Sequence, residues 1–185
     1  MGNFDYFRGY PPFSKFADAA IDAENVFNTS LPLCAMSCRR ALEVAVKWVY
    51  DKEPALIDKG QRLSDLIHES KFRDLFDDKL FKRMKYLTRI GNENAHDVVD
   101  VTRDEALELL RIVFAFDKWV DGKYRKDADD KIQFDPAKIP DSKMDAENVA
   151  RLAALIDEKE SVIEELTRRN EELNAKYAEE RARNI

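Results

Sequence analysis

Arg39-Arg40-Ala41-Leu42-Glu43-Val44-Ala45-Val46-Lys47-Trp48-Val49-Tyr50 decides the fold. Its apolar residues recur at helical spacing and cover a wide arc, which predicts a helix at the centre of a bundle. Upstream, Cys34 and Cys38 continue the same side, and Pro32 suits a first helical turn. Pro54 ends the pattern. The predicted helix runs from about Pro32 to Tyr50.

The flanking sequence supplies its partners. Phe13, Phe16, Ala17, Ala20, Ile21 and Phe27 form an apolar face, so a helix is expected from about Ser14 to Phe27. Pro11-Pro12 sets an extended approach to it. Residues 55–76 read as a long connection with short helical turns around Ser64–His68 and Lys71–Phe76. Another full helix is expected from about Asp77 to Arg89, with Leu80, Met84 and Leu87 inward and Gly91 as its stop. Thr102 and Glu105 have capping-box spacing and open a helix that continues to about Tyr124. Trp48 and Trp119 read as core. Amphipathic helices without alternating strands predict an all-α bundle.

Three segments follow: a bundle over residues 1–125, a linker over 126–144, and a coiled-coil helix over 145–185. A charged run that begins at the bundle's last residue, Arg125-Lys126-Asp127-Ala128-Asp129-Asp130-Lys131, leads into the linker, which holds two breakers, Pro136 and Pro140. It reads equally as a strap across the bundle. From Asp145 onward there is no Gly or Pro. Val149, Leu152, Ile156, Ile163, Leu166, Leu173 and Tyr177 fall on a heptad seam, with Lys159 and Asn170 as polar seam positions. A seam Asn favours two strands in register, so residues 145–180 are expected to form a parallel homodimer. The last residues, Arg181-Ala182-Arg183-Asn184-Ile185, carry no cap, and a boundary inside a longer protein is expected there.

Bulk properties exclude several classes. The 185 residues carry a net charge of −6, so any nucleic-acid contact needs a local basic patch. No apolar run reaches the roughly 18 residues of a membrane span, and the N-terminus lacks a secretory pattern. Cys34 and Cys38 read as small core residues, and a reducing cytoplasm is the expected compartment. No phosphate loop, dinucleotide fingerprint, nucleophile-elbow serine or metal-ligand spacing occurs. No cofactor and no metal are therefore expected.

The candidate chemistry is Arg89-Ile90-Gly91-Asn92-Glu93-Asn94-Ala95-His96. Arginine forks onto phosphate oxygens, and histidine exchanges a proton near neutral pH. The pair suits phosphate chemistry, or phosphate binding without chemistry. An equally complete structural reading has Arg89 capping its helix end and His96 holding the following turn. Lys79, Lys82, Arg83, Lys85 and Arg89 give a basic run without an acid, a candidate nucleic-acid patch or a solvated helix face. His68 reads as a helix-end or core-edge residue rather than a catalytic one, and Arg39 and Arg40 as partners of nearby acids, with phosphate contact as the alternative for the two arginines.

The pattern Arg-Ile-Gly-Asn-x-x-Ala-His between two helices resembles the motif of the HEPN superfamily. Phe16-Ala17-Asp18-Ala19-Ala20, the Cys38–Tyr50 stretch and Leu66-Ile67-His68 extend the likeness over about residues 4–125. Together they resemble a helical domain of unknown function at the N-terminus of type I restriction enzyme R-subunit-like proteins. The resemblance implies an accessory module that dimerises or touches DNA or RNA. Nuclease and helicase parts, with their ATP and Mg, and other restriction-modification subunits would belong to the parent protein. It also implies a rival: a metal-independent ribonuclease with His96 as acid or base and Arg89 on the phosphate. Ile90 stands where active members commonly carry a polar residue. A purely structural interaction module is the third reading.

Overall fold

The computed structural model describes residues 1–58, 60–96, 101–141 and 168–169, with the backbone alone over 92–96. By its contacts the chain divides into two units, Met1–Met144 and Asp145–Ile185. The heptad seam and the expected dimer lie outside the described residues.

The first unit is helical, and no strand occurs among the described residues. It begins with a one-turn helix, α1 (Asp5–Arg8), that the sequence pattern does not announce. Its Phe7, with Phe4, is fully buried against Phe114. Tyr10 is extended before a single 3-10 turn, Pro11–Phe13, as a residue preceding proline prefers. Helix α2 (Ser14–Asn25) follows and buries Phe16, Ala17, Ala20 and Ala23.

Helix α3 (Leu31–Lys52) is the axis of the unit. Ser30 caps it by accepting the Leu33 N–H, and Pro32 sits in its first turn, where a missing N–H costs nothing. Ten of its residues are buried, from Leu33 to Tyr50, and it packs against α2 and three later helices. Both cysteines are buried and free, and burial pushes the Cys38 thiol up. Two short helices come next, α4 (Leu63–His68) and α5 (Ser70–Arg73). Tyr50 fastens them: its hydroxyl donates to the Leu66 carbonyl at 2.8 Å, and its ring stacks on Phe72.

Helix α6 (Asp78–His96) departs from expectation. It does not stop at Gly91; it continues through His96. Gly91 lies within the helix and is not in the left-handed region, where Gly60 alone is found among the described residues. A glycine in this sequence context signals a helix end because of its conformational freedom. Here the reason for glycine is space. A Cβ at position 91 would stand 2.5 Å from the Cβ of Arg39 and 2.9 Å from its Cδ. The two helices meet there, and only a hydrogen fits.

Helix α7 (Arg103–Tyr124) opens on the complete Thr102/Glu105 capping box. The Thr102 hydroxyl accepts the Glu105 N–H, and the Glu105 carboxylate accepts the Thr102 N–H. Trp48 and Trp119 are half-buried rather than core. The Trp48 indole N–H donates to the Pro12 carbonyl at 2.8 Å, which holds the ring at the rim of the bundle. Lys52 and Lys123 lie over the two indoles.

Residues 126–141 run back over the bundle. Lys118 donates to the carbonyls of Asp130 and Ile132, and Asn28 donates to that of Pro140. Phe134 packs edge-on against Phe4 and Phe114. Asn3 and Asp135 exchange two hydrogen bonds, the Asp135 N–H to the Asn3 side-chain oxygen at 2.7 Å and the Asn3 amide to the Asp135 carbonyl at 3.0 Å. Among the described residues no helix is long and apolar enough to cross a membrane.

Candidate nucleic-acid interface

The unbroken course of α6 sets the geometry of the candidate site. At about 100° per residue, positions 82, 85, 89 and 96 fall within an arc of about 60°. They form one stripe, with positions 89 and 96 separated by two turns, or about 10.5 Å along the axis. The opposite arc holds Met84, Leu87 and Thr88, all buried. Thr88 satisfies its hydroxyl by donating to the Met84 carbonyl.

The basic run divides between the stripe and its flank. Lys82, Lys85 and Arg89 are exposed on the stripe. Lys85 lies 5.7 Å from the Phe81 ring centre, and the Arg89 guanidinium stacks over Tyr86 at 5.6 Å. Lys79 is exposed on the flank. Arg83 turns toward α7, where it is half-buried and pairs with Glu108 at 3.1 Å. It is committed to joining two helices and does not belong with the stripe. His96 lies on α6 by its backbone, and its side chain is outside the described residues.

The field along α6 is positive but not isolated. Glu105 is held below the usual glutamate range, first by the Thr102 N–H and hydroxyl, with the charge of Arg89 adding to the effect. His68 ends α4, exposed, with Nδ1 2.6 Å from the Ser64 carbonyl oxygen and its ring edge-on to Phe81. Arg40 is exposed and within electrostatic reach of Asp22.

Three buried carboxyl groups escaped the sequence reading. Glu24 accepts both the backbone N–H and the side-chain amide of Asn3, and burial raises it. Asp121 accepts the Tyr6 hydroxyl and faces Arg125, whose guanidinium lies over the Tyr6 and Tyr10 rings. Asp117 is 1% exposed, and neither of its oxygens has a hydrogen-bond partner among the described residues. Burial pushes its carboxyl well above the usual aspartate range. Its only sequence signal is its register: it falls on the core face of α7, one turn after Val113 and one before Asp121. Among the described residues no group of three or more His, Cys, Asp or Glu is placed to hold a metal ion.

A family model, that of a domain of unknown function (DUF4145), matches residues 22–120. The chain belongs to this family. The DUF4145 match takes in α3, α6 and most of α7, and with them the whole stripe, Gly91 and Arg39. It leaves out α1 and the returning segment after Tyr124. No curated protein and no solved structure matches the chain.

Proposed function

We propose that this DUF4145 domain is a nucleic-acid-contacting accessory module that binds the phosphodiester backbone along α6. One observation carries the reading: the helix runs unbroken through Gly91, so Lys82, Lys85, Arg89 and position 96 share one side. Exposed cations at that spacing neutralise successive phosphates and release counterions. The resemblance to type I restriction enzyme R-subunit-like proteins supplies the setting, a cytoplasmic, HEPN-like module that dimerises through residues 145–180 beside separate nuclease and helicase parts. The test is anisotropy titration of a labelled DNA duplex and a labelled single-stranded RNA at several salt concentrations. Salt-dependent binding, weakened by Lys82→Glu with Lys85→Glu, supports the module and shows which nucleic acid it prefers. Absence of binding at low salt, or binding indifferent to the two reversals, overturns it.

A second reading is favoured by the common side of positions 89 and 96. In it the chain is a metal-independent ribonuclease, with Arg89 steadying the phosphate and His96 transferring the proton. General acid–base catalysis contributes roughly 10²–10⁴ in rate. RNA cleavage in EDTA that is lost in His96→Ala supports this reading. Cleavage that survives the substitution, or none in the wild type, rejects it.

A further inference from the structure

His68 stands at the end of α4, outside the basic run, and the fold brings it to the edge of the α6 stripe. Phe81 is the joint. At about 100° per residue it lies about 40° round α6 from Lys85. The Lys85 ammonium is 5.7 Å from the centre of the Phe81 ring. The His68 ring is 5.5 Å from the same ring, edge-on at 80°. The imidazole therefore borders the exposed cations from a second helix.

Two contacts hold it in place. Nδ1 lies 2.6 Å from the Ser64 carbonyl oxygen. A carbonyl only accepts, so Nδ1 carries a proton and the bond leaves Nε2 to meet a ligand. Phe81 supports the ring and cannot cover both of its faces. His68 is exposed, so a planar aromatic surface meets solvent beside Lys85. A ring fixed before binding loses little freedom when another planar group is laid on it. Phe81 offers less. It is half-buried, and the Arg73 guanidinium lies over its ring at 4.5 Å. Arg73 is committed there by its pair with Asp78 and its donation to the Phe76 carbonyl.

We propose that His68 is a base-stacking residue, which makes this face select single-stranded nucleic acid over duplex. The inference rests on the nucleic-acid reading above. The cations of α6 meet phosphates, which both forms carry. An unpaired base also has a face to lay on an aromatic ring, whereas a paired base is already stacked on its neighbours.

The test uses the full chain and three labelled probes: a single-stranded RNA, a single-stranded DNA and a DNA duplex. His68→Ala is expected to weaken both single strands about 5- to 150-fold, the range for one stacked base. The duplex affinity is expected to stay at the wild-type level. The slope of log affinity against log salt is expected to stay unchanged on every probe, because stacking releases no counterion. His68→Phe restores a ring and is expected to recover most of the loss. If His68→Ala does not fold by circular dichroism, His68→Gln, which keeps a donor at the helix end without a ring, carries the same comparison. A loss shared equally by the duplex, or a lower salt slope, overturns stacking in favour of a phosphate contact. Wild-type affinity in His68→Ala, while Lys82→Glu with Lys85→Glu weakens binding, overturns the role of His68 and leaves the stripe intact. A wild-type chain that binds none of the probes overturns the nucleic-acid reading, and this inference with it.

Discussion

The stem of Arg39 fills the space in which a side chain at position 91 would stand. A Cβ on Gly91 would lie 2.5 Å from that of Arg39, closer than two such atoms approach. The glycine is therefore part of the contact between α3 and α6, and its neighbours on both helices are placed by it.

Gly91→Ala is the direct check, because two effects oppose each other. Alanine is favoured over glycine inside a helix by about 1 kcal/mol. Forcing a methyl group into a filled contact costs about 1–3 kcal/mol. The clash involves the Cβ of Arg39, which cannot swing aside as the end of a flexible chain can, so destabilisation is expected. Urea denaturation followed by circular dichroism measures it. A more stable variant would show that the helices separate easily at this point.

Gly122 gives the contrasting case. It lies near the end of α7, exposed, and nothing stands within 4 Å of a Cβ built there. Gly122→Ala is expected to stabilise by about 0.5–1 kcal/mol through backbone entropy alone. Opposite signs for the two glycine substitutions in the same denaturation assay are the expected outcome.

Asp117 makes stability depend on pH in a specific direction. Burial raises its carboxyl in the folded chain, so the folded state holds the proton more tightly than the unfolded state. Its contribution is complete below the unfolded value of about 3.9 and declines as pH rises through the folded value. Glu24 and Asp121, also raised by burial, act in the same direction, whereas Glu53, Glu105 and Asp127 are lowered and act oppositely. The difference between wild type and Asp117→Asn isolates the one group. The variant is expected to lose less stability between pH 5 and 8, by about 1–3 kcal/mol at the upper end. Parallel curves across that range would show that Asp117 is not the cause.

Thr102 anchors the start of α7 through both halves of its capping box. Thr102→Ala removes the hydroxyl acceptor and is expected to cost about 0.5–2 kcal/mol. Thr102→Ser should recover most of that loss. Equal melting temperatures for wild type and Thr102→Ala would mean that the adjoining helix packing alone holds this end.

Much of the helical frame was legible in the residues themselves. The wide apolar arc of α3 named the central helix, and Thr102 with Glu105 named the start of α7. The all-α character followed from these. Gly91 was misread because one letter serves two needs, a left-handed backbone and the absence of a side chain, and only the position of Arg39 decides between them. The candidate site was legible in part for a similar reason. Lys82, Lys85 and Arg89 could be counted along the sequence, but whether the stripe reached position 96 depended on the helix continuing. Arg83 looked equivalent to its neighbours until Glu108 appeared opposite it on another helix. Asp117 was hidden because its register on the core face of α7 was the one mark of a carboxylate that packing takes out of water.

The paired hydrogen bonds between Asn3 and Asp135 bring two distant parts of the chain to one pole. Tension applied between residue 3 and residue 141 would therefore be met by those bonds, by the Asn28 and Lys118 bonds to the same segment and by the seating of Phe134, before the helices. The bundle is wired as a closed loop with a clasp. A pull that opened the clasp and the bonds from Asn28 and Lys118 would release residues 126–141 while leaving the contact of Arg39 with Gly91 in place.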